Sequence, residues 1–120
     1  MYRRRQGAIH LSDRFEAPEF AIHADREGPV ATVAVKGELD VATAPDLVAA
    51  LTALEPGYEE LVIDLSECSF FASSGISVLL DENARATAEG FRLVVVKAPP
   101  QVQRIFDLTS LDEMITFREG

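Results

Sequence analysis

The sequence predicts one α/β domain in which three or four helices pack against a mixed sheet of about five strands. The length of 120 residues suits a single hydrophobic core. The spacing of apolar residues changes repeatedly between two, typical of strands, and about 3.6, typical of helices. The resulting order is β-β-α-β-α-β-α-β, and each strand-helix-strand unit in it is expected to form a right-handed parallel crossover.

The first two strands are predicted to form a hairpin. Apolar and polar residues alternate from Phe20 to Ala24, and residues 26–29 (REGP) provide a turn. A longer strand covers residues 30–41, with Val33, Val35 and Leu39 on a common face.

The first helix is predicted to begin after Thr43, whose side chain is expected to cap it. Pro45 and Asp46 suit the first turn, since proline is tolerated there and a carboxylate favours the helix dipole. The helix ends before residues 56–57 (PG). Its apolar stripe consists of Leu47, Ala50, Leu51 and Leu54.

The middle of the chain predicts a strand followed directly by a helix. The strand covers residues 61–65 and continues irregularly through Phe70 and Phe71. The helix extends from about Ser74 to Ala88, and Gly90 ends it. Its expected inward residues are Ile76, Leu79, Leu80 and Ala84.

The last third repeats this pattern. Residues 92–96 (RLVVV) are typical of a central strand buried on both faces. Residues 99–100 (PP) open a third helix with Val102, Ile105 and Phe106 inward, and residues 114–117 form the last strand.

Composition excludes several kinds of function. Cys68, the one cysteine, can form no intramolecular disulfide and is expected in or near the core, and two histidines beside it do not provide a metal cluster. No nucleophile elbow or phosphate-binding loop is present, so we expect neither catalysis nor a cofactor. No apolar run approaches the length of a secretory signal or a membrane span, which favours a cytoplasmic protein.

Charge divides the chain into two parts. The net charge is −9, but residues 1–18 hold four of the basic and only two of the acidic residues, so residues 19–120 carry a net −11. We expect a flexible basic amino-terminal arm over residues 1–17, either mobile or making weak electrostatic contacts, and a folded domain over residues 18–120. An acidic domain disfavours nucleic-acid binding and favours a partner with a basic surface.

Polar side chains are predicted to meet at one edge of the sheet. Asp40, Ser73 and Lys97 each follow a strand of the parallel part, and the carboxyl ends of such strands lie along one edge. Ser73 and Ser74 also lie where a helix begins, and the free N–H groups there favour added negative charge. A phosphorylatable switch is therefore physically reasonable at this position.

Three segments together resemble the STAS domain of anti-sigma-factor antagonists. They are GELDVATAPDL at 37–47, VIDLSECSFFASSGISVLL at 62–80 and PPQVQRIFDLTSLDEMITF at 99–117. The resemblance implies a partner-switching protein that binds an anti-sigma factor, often a serine kinase, and thereby releases a sigma factor. Phosphorylation by that kinase breaks the complex, and a phosphatase is a further expected partner.

The resemblance also implies roles for individual residues. Ser73 matches the phosphate acceptor, with Ser74 as the second candidate, and Asp40 matches an acidic residue beside the site. The expected partner-binding residues are Asp40, Ser73, Ser74, Gly75 and Phe71.

Each of these residues also has a purely structural interpretation. Ser73 could cap the helix, Ser74 could bond to the backbone, and Asp40 could be a turn residue. Gly75 could serve close packing under either interpretation. Phe70 and Phe71 are adjacent in a strand, so one is expected in the core and the other outside.

The chain departs from the family pattern at Ala72, where an aspartate is usual. The departure keeps open a constitutive STAS adaptor that has no phosphorylation switch. Such an adaptor would be a scaffold subunit of a stress-signalling complex or of a lipid-transport ATPase.

Overall fold

The secondary structure follows the predicted order. The computed structural model describes residues 20–120, so the proposed arm over residues 1–17 lies outside the described part. The elements are β1 (Ala21–Glu27), β2 (Val30–Leu39), α1 (Ala44–Ala53), β3 (Glu60–Phe71), α2 (Ser73–Glu89), β4 (Arg92–Val96), α3 (Pro100–Leu108), a 3-10 turn (Leu111–Glu113) and β5 (Thr116–Arg118). The mixed α/β fold class is confirmed.

The five strands form one sheet in the order β1-β2-β3-β4-β5. β1 and β2 are antiparallel, as the predicted hairpin requires, and Gly28 adopts a positive φ of 59° in the turn between them. All other neighbours are parallel. In the middle of the sheet, Val33 of β2 pairs with Ile63 of β3, which pairs with Val95 of β4.

β3 extends well beyond its neighbour β4. It has 12 residues, whereas β4 has 5. Pairing with β4 ends at Asp64, but pairing with β2 continues to Phe71, with register shifts between Ala34 and Lys36 and between Gly37 and Glu38. The carboxyl end of β3 therefore lies beside the end of β2 alone.

All three helices contribute to one core on a single face of the sheet. The fully buried side chains of that core include Leu61, Ile63, Leu79, Val95 and Phe106. Burying a side chain of this size contributes about 1.5–3 kcal/mol each.

An aromatic column crosses this core. The rings of Phe71 and Phe106 lie 5.0 Å apart between centroids, and those of Phe106 and Phe117 lie 5.2 Å apart. Such aromatic pairs stabilise a fold beyond the area that they bury. The column connects the end of β3 to α3 and β5.

The inward stripe of α2 differs from the predicted one. Only Ala84 is wrong, because it is exposed; Leu79 is buried, and Ile76 and Leu80 are partly buried against the core. The fully buried residues of the helix are Gly75, Val78, Leu79, Glu82 and Ala86. Their spacing of three, four and seven residues follows one helix face, from which Ala84 points away. The helix ends at Gly90, which has a φ of 83°, as expected for a glycine C-cap.

The buried carboxylate of Glu82 is neutralised by Arg85. The guanidinium donates to both carboxylate oxygens, from Nε at 3.1 Å and from Nη2 at 2.8 Å, and also donates to the Tyr58 hydroxyl at 2.6 Å. The hydrogen bond to Glu82 is the main cause that raises the pKa of Arg85 above its usual range. This network fixes the second half of α2 against the segment before β3.

No helix within residues 20–120 is both long and apolar enough to cross a bilayer.

Candidate functional site

The loop between β2 and α1 is held by its own side chains. Asp40 Oδ1 accepts from the backbone N–H groups of Ala42 at 3.0 Å and Thr43 at 3.1 Å. The Thr43 hydroxyl accepts from the N–H of Asp40 at 2.8 Å and lies 2.8 Å from the carbonyl oxygen of Glu38. Asp40 is therefore a turn residue in this structure, as one interpretation of the sequence predicted.

The predicted capping role of Thr43 is wrong. Thr43 occupies the N-cap position of α1, but its side chain makes no capping hydrogen bond. The hydroxyl is turned back toward β2, where it is only 1% exposed and bonds the strand end. Its single hydroxyl stabilises the loop in place of the helix.

A backbone hydrogen bond joins this loop to the start of α2. The N–H of Ala72 donates to the carbonyl oxygen of Leu39 at 2.9 Å. Leu39 and Phe71 are also register partners, and Asp40 and Ser73 follow them in sequence. The structure thus brings the Asp40 loop and the two serines to the same edge of the sheet.

Gly75 permits α2 to approach the sheet closely. A Cβ atom at this position would lie 2.7 Å from Leu39 Cδ2 and 2.8 Å from Phe71 Cζ, which is closer than real Cβ contacts. Gly75 is itself buried. It therefore acts by packing, and the expectation that it contacts a partner is not supported.

Ala72 is the N-cap residue of α2. Its extended backbone, with φ −92° and ψ 172°, is the geometry that a capping residue adopts, but its methyl group cannot accept a hydrogen bond. The N–H groups of Gly75 and Ile76 donate to the carbonyl oxygen of Ala72 at 2.9 and 3.3 Å. The N–H groups of Ser73 and Ser74 have no acceptor within residues 20–120.

The two serines differ in exposure. Ser73 is exposed at the first position of α2, and the capping role considered for it is excluded because Ala72 holds that position. The Ser74 Oγ atom is buried and has no hydrogen-bond partner in the described part of the chain. Of the two hydroxyls, that of Ser73 is the accessible one.

Exposed apolar side chains flank the serines. Phe70 is 49% exposed and Val41 is 80% exposed, whereas Phe71 is 2% exposed and belongs to the aromatic column. Phe71 was expected at the partner surface, and this expectation is wrong because its ring fills the core. Val41 was predicted as the last residue of the second strand, but β2 ends at Leu39, and Val41 is an exposed apolar residue in the loop that follows.

Lys97 does not join this group. Val96, the last residue of β4, pairs with Asp64 of β3, so Lys97 is level with Leu65 and lies eight residues before Ser73 in the register of the sheet. Its ammonium group pairs with Glu119, with Nζ and Oε2 2.8 Å apart, and that hydrogen bond raises the pKa of Lys97. The predicted edge therefore contains Asp40, Ser73 and Ser74 without the lysine.

A family model described as Mlab, STAS domain matches residues 22–116. The chain belongs to the STAS domain family. This confirms the resemblance found in the sequence and covers every strand of the sheet except the first residue of β1 and the last two of β5.

Two proteins that this chain resembles in sequence or structure are anti-sigma-factor antagonists. The anti-sigma-B factor antagonist of Staphylococcus aureus strain NCTC 8325 / PS 47 is 27% identical over 89 residues, which cover 73% of this chain and 82% of that protein. The crystal structure of an anti-sigma factor antagonist from Mycobacterium paratuberculosis has a TM-score of 0.72 and 31% identity, and the match covers 84% of this chain and 86% of that one.

The antagonist SpoIIAA, in a structure of its unphosphorylated form, has the same fold. Its TM-score is 0.70 at 17% identity, with 83% of this chain and 90% of that chain covered. The sheet and helices of this STAS domain are therefore those of the antagonist structures.

The buried thiol of this STAS domain lies in β3, the strand that leads to the serine edge, which is the sheet edge that contains Asp40, Ser73 and Ser74. Cys68 is 0% exposed, as expected from the sequence, and its Sγ donates to the carbonyl oxygen of Phe70 at 3.2 Å. Burial raises the pKa of the Cys68 thiol. The thiol is therefore a structural group of the hydrophobic core.

Proposed function

We propose that this STAS domain is an anti-sigma-factor antagonist that phosphorylation at Ser73 switches off. The observation that carries the proposal is the contrast at the start of α2, where Ser73 is exposed and the Ser74 hydroxyl is buried. A kinase can reach the Ser73 Oγ atom without moving the helix. The curated relative and the similar structure from Mycobacterium paratuberculosis, both antagonists, support the same function.

The phosphorylation chemistry fits the local structure. The Ser73 Oγ atom attacks the γ-phosphorus of ATP, the bond to the β-phosphate oxygen breaks to release ADP, and the hydroxyl proton is lost to the kinase or solvent. The product gains nearly two negative charges. The N–H groups of Ser73 and Ser74 have no acceptor within residues 20–120 and can donate hydrogen bonds to a phosphate oxygen.

The same phosphate would weaken partner binding. Asp40 lies at the same edge, and the domain around the site carries excess negative charge. A phosphate added there repels acidic groups and must lose water when a partner covers it. The helix N-terminus, in contrast, stabilises it by about 0.3–1 kcal/mol. The expected effect is a change in surface charge without refolding.

The surface around Ser73 suits a partner with an apolar pocket and a basic rim. Phe70 and Val41 are the exposed apolar side chains, and large exposed aromatic groups are frequent binding anchors. Asp40 and the exposed Glu38 provide the negative charges. We assign partner contact to Asp40, Ser73 and these neighbours, and an indirect role to Ser74 beneath them.

A constitutive STAS adaptor is the second candidate, and Ala72 is the observation that favours it. The usual aspartate of the family pattern would place a carboxylate at the N-cap, directly beside the Ser73 hydroxyl. Without it, that position has no side-chain acceptor. An adaptor would bind its partner through the same edge and would never be phosphorylated.

The deciding experiment combines phosphorylation and binding. The domain is incubated with ATP and each candidate anti-sigma kinase, and the modified residue is located by mass spectrometry. Phosphate on Ser73, together with weaker binding to the kinase, supports the switch. Ser73→Ala should remove the phosphate and the matched control Ser74→Ala should retain it. Stable binding without phosphate under every kinase favours the adaptor.

A further inference from the structure

β1 is a long and regular edge strand. Within residues 20–120 it pairs with β2 on one side and with no strand on the other. The pairing with β2 continues without a bulge from the Ala21–Lys36 pair to the Glu27–Val30 pair, so all seven residues of β1 are extended. The opposite edge of the sheet, β5, has only three residues, and so short a strand gives a new strand little to pair with. β1 is therefore the edge at which a further strand can be added.

The backbone groups of β1 that point outward belong to alternate residues. Glu27 and Val30 flank the two-residue turn and form a hydrogen-bonded pair, and such pairs alternate with non-bonded pairs along an antiparallel ladder. Counted from that pair, the N–H and C=O groups of the odd-numbered residues of β1 point toward β2. Those of the even-numbered residues, Ile22, Ala24 and Arg26, point outward, where a new strand can bond them.

The side chains of β1 divide between the two faces of the sheet. Ile22 is buried and Ala24 packs against the core, on the face that the helices cover. On the other face, His23, Asp25 and Glu27 are exposed. An imidazole and two carboxylates at alternate positions can pair with a second copy of the same strand that runs in the opposite direction.

We propose that two copies of this chain pair through their β1 strands, in antiparallel orientation, about a two-fold axis at Ala24. In this register all seven residues of β1 are paired. The outward backbone groups of the even-numbered residues then occupy the hydrogen-bonded positions of the new ladder. An axis at His23 or at Asp25 would pair only five residues and would set two identical side chains opposite each other.

The side-chain pairs across this axis join complementary groups. His23 lies opposite Asp25 of the second copy at a non-bonded position, where cross-strand side chains are close, and the imidazole can donate a hydrogen bond to the carboxylate. Glu27 lies opposite Ala21 of the second copy, which is paired with Lys36 on its other side. The Glu27 carboxylate and the Lys36 ammonium can therefore meet across the small Ala21 side chain. Each contact occurs twice because the interface is symmetric.

The same axis brings the two α1 helices together. α1 packs over β1 and β2, and an open groove between α1 and β1 is lined by Ala24, Arg26 and Ala53, among others. A strand spacing of about 4.8 Å places the two α1 helices roughly 10 Å apart, a distance at which helices pack. Ala53 and Ala49, one turn earlier, are exposed, and their methyl groups permit this approach. Pairing of the β1 strands therefore also covers the groove.

The overall charge of the chain does not prevent this association. Each copy has a net charge of −9, but the charged groups at this edge balance, with Asp25 and Glu27 against Arg26 and Lys36. At physiological ionic strength the Debye length is about 8 Å, so charges elsewhere on the two copies are largely screened from each other. The contacts at the edge itself therefore decide the association.

The dimer is independent of the phosphorylation switch. Ala24 pairs with Val33, seven residues before Asp40, so the axis lies roughly 20 Å from the serine edge. Because the two copies run in opposite directions, the dimer presents its two serine edges at opposite ends. Each serine edge stays accessible to a partner, so dimer formation and partner binding do not compete.

Disulfide trapping in the full chain tests the register. Chains with His23→Cys are mixed with chains with Asp25→Cys and oxidised mildly. Dimers of one chain of each kind should exceed dimers of identical chains about tenfold, because identical positions are offset by two residues, beyond the ~7 Å between Cα atoms that a disulfide spans. Peptide mapping identifies any disulfide of the buried Cys68. The matched control, Thr116→Cys with Arg118→Cys, has the same spacing on the β5 edge and should show no such excess.

Analytical ultracentrifugation of the full chain provides a second readout. The wild type should form a dimer that dissociates on dilution. Ala24→Pro removes the N–H group at the axis but no hydrogen bond to β2, and proline is tolerated at such edge positions, so the monomer should stay folded while the dimer Kd rises at least about tenfold. Circular dichroism checks the fold of this variant. The control Phe70→Ala, at the serine edge, should leave the dimer unchanged.

Each outcome bears on the proposal. Excess mixed disulfides, together with a weaker dimer in Ala24→Pro, support it. A chain that stays monomeric up to about 1 mM overturns it. A dimer that Phe70→Ala weakens and Ala24→Pro does not would belong to the serine edge, which also overturns it. Equal yields of mixed and identical disulfide dimers exclude the axis at Ala24. Should Ala24→Pro fail to fold, the disulfide yields decide alone.

Discussion

Restoring an aspartate at position 72 should stabilise the domain. Ala72 already has the extended backbone of a capping residue, and the N–H of Ser74 is an open donor at the second helical position. An N-cap aspartate in place of alanine contributes about 0.5–2 kcal/mol, which includes a favourable interaction with the helix dipole. For a domain of about 60–100 residues, ~1 kcal/mol raises Tm by about 4–8 °C.

Ala88→Asp is the matched control for Ala72→Asp. Ala88 is exposed near the carboxyl end of the same helix, so both variants add one negative charge to the same protein. At that end the carboxylate opposes the dipole, and aspartate is a poorer helix former than alanine, so Tm should fall. Thermal unfolding of the two variants, followed by circular dichroism at pH 7, measures both effects.

The pH dependence provides a second check on Ala72→Asp. A carboxylate that accepts helix N–H bonds has a lower pKa in the folded state than in the unfolded state. The added stability is therefore present above the unfolded aspartate pKa of about 3.9 and is lost as the pH falls through the folded pKa. If Ala72→Asp melts no higher than the wild type at pH 7, or if its gain persists at pH 2, the assignment of Ala72 as an open N-cap is wrong.

Three further results are expected. Gly75→Ala should lower the free energy of unfolding by about 1–3 kcal/mol in urea titrations, because its Cβ would overlap Leu39 and Phe71. The control Ser77→Ala, on the exposed face of α2, should change it little. A Gly75→Ala variant more stable than the wild type would contradict the close approach of α2 to the sheet. Cys68 should react with a thiol reagent only as fast as the domain unfolds, because it is buried and its pKa is raised; fast labelling of the native protein would show an open edge. Phe71→Ala should cost about 3–5 kcal/mol of stability, while Phe70→Ala should leave Tm almost unchanged. Phe70→Ala should instead weaken anti-sigma-factor binding at least tenfold, measured by calorimetry. Equal losses of stability in the two variants would place both rings in the core.

The order and direction of the elements were predictable because they depend on local patterns. Gly28 and Pro29 between β1 and β2, the proline at the start of α1 and Gly90 after α2 mark the boundaries that the structure shows. Arg26 and Glu27, which were predicted in the turn, belong to β1. The two strand-to-helix junctions after β2 and β3 were also placed correctly, so Asp40 and Ser73 were rightly expected at one edge.

Details that depend on strand length and register were not predictable. Apolar patterns showed that β3 and β4 exist, but not that β3 would exceed β4 by seven residues, and this difference separates Lys97 from Ser73. The inward residues of β3 are Leu61, Ile63 and Leu65, then Cys68 and Phe71, so the spacing changes from two to three where the register shifts occur. The face of Phe71 could not be fixed by counting alternate positions.

The hydrogen-bond partners of the Thr43 side chain could not be predicted for a different reason. A threonine before a helix can bond either the first turn of that helix or the strand end behind it, and the sequence is compatible with both. The nearby Glu38 carbonyl and Asp40 N–H decide the outcome in the folded chain. Such competition between local partners becomes visible only when the loop geometry is known.

The unequal strand lengths have a consequence for how this protein could evolve. Beyond Asp64, β3 has β2 as its only strand neighbour within the described residues, so the serine edge is borne on a two-stranded extension. Side chains at the tip of this extension, such as Val41 and Phe70, are largely exposed and support little of the core. Substitutions there can change which partner is recognised at small cost in stability, and duplicated copies of the gene could acquire separate partners through a few tip residues while the rest of the domain stays the same.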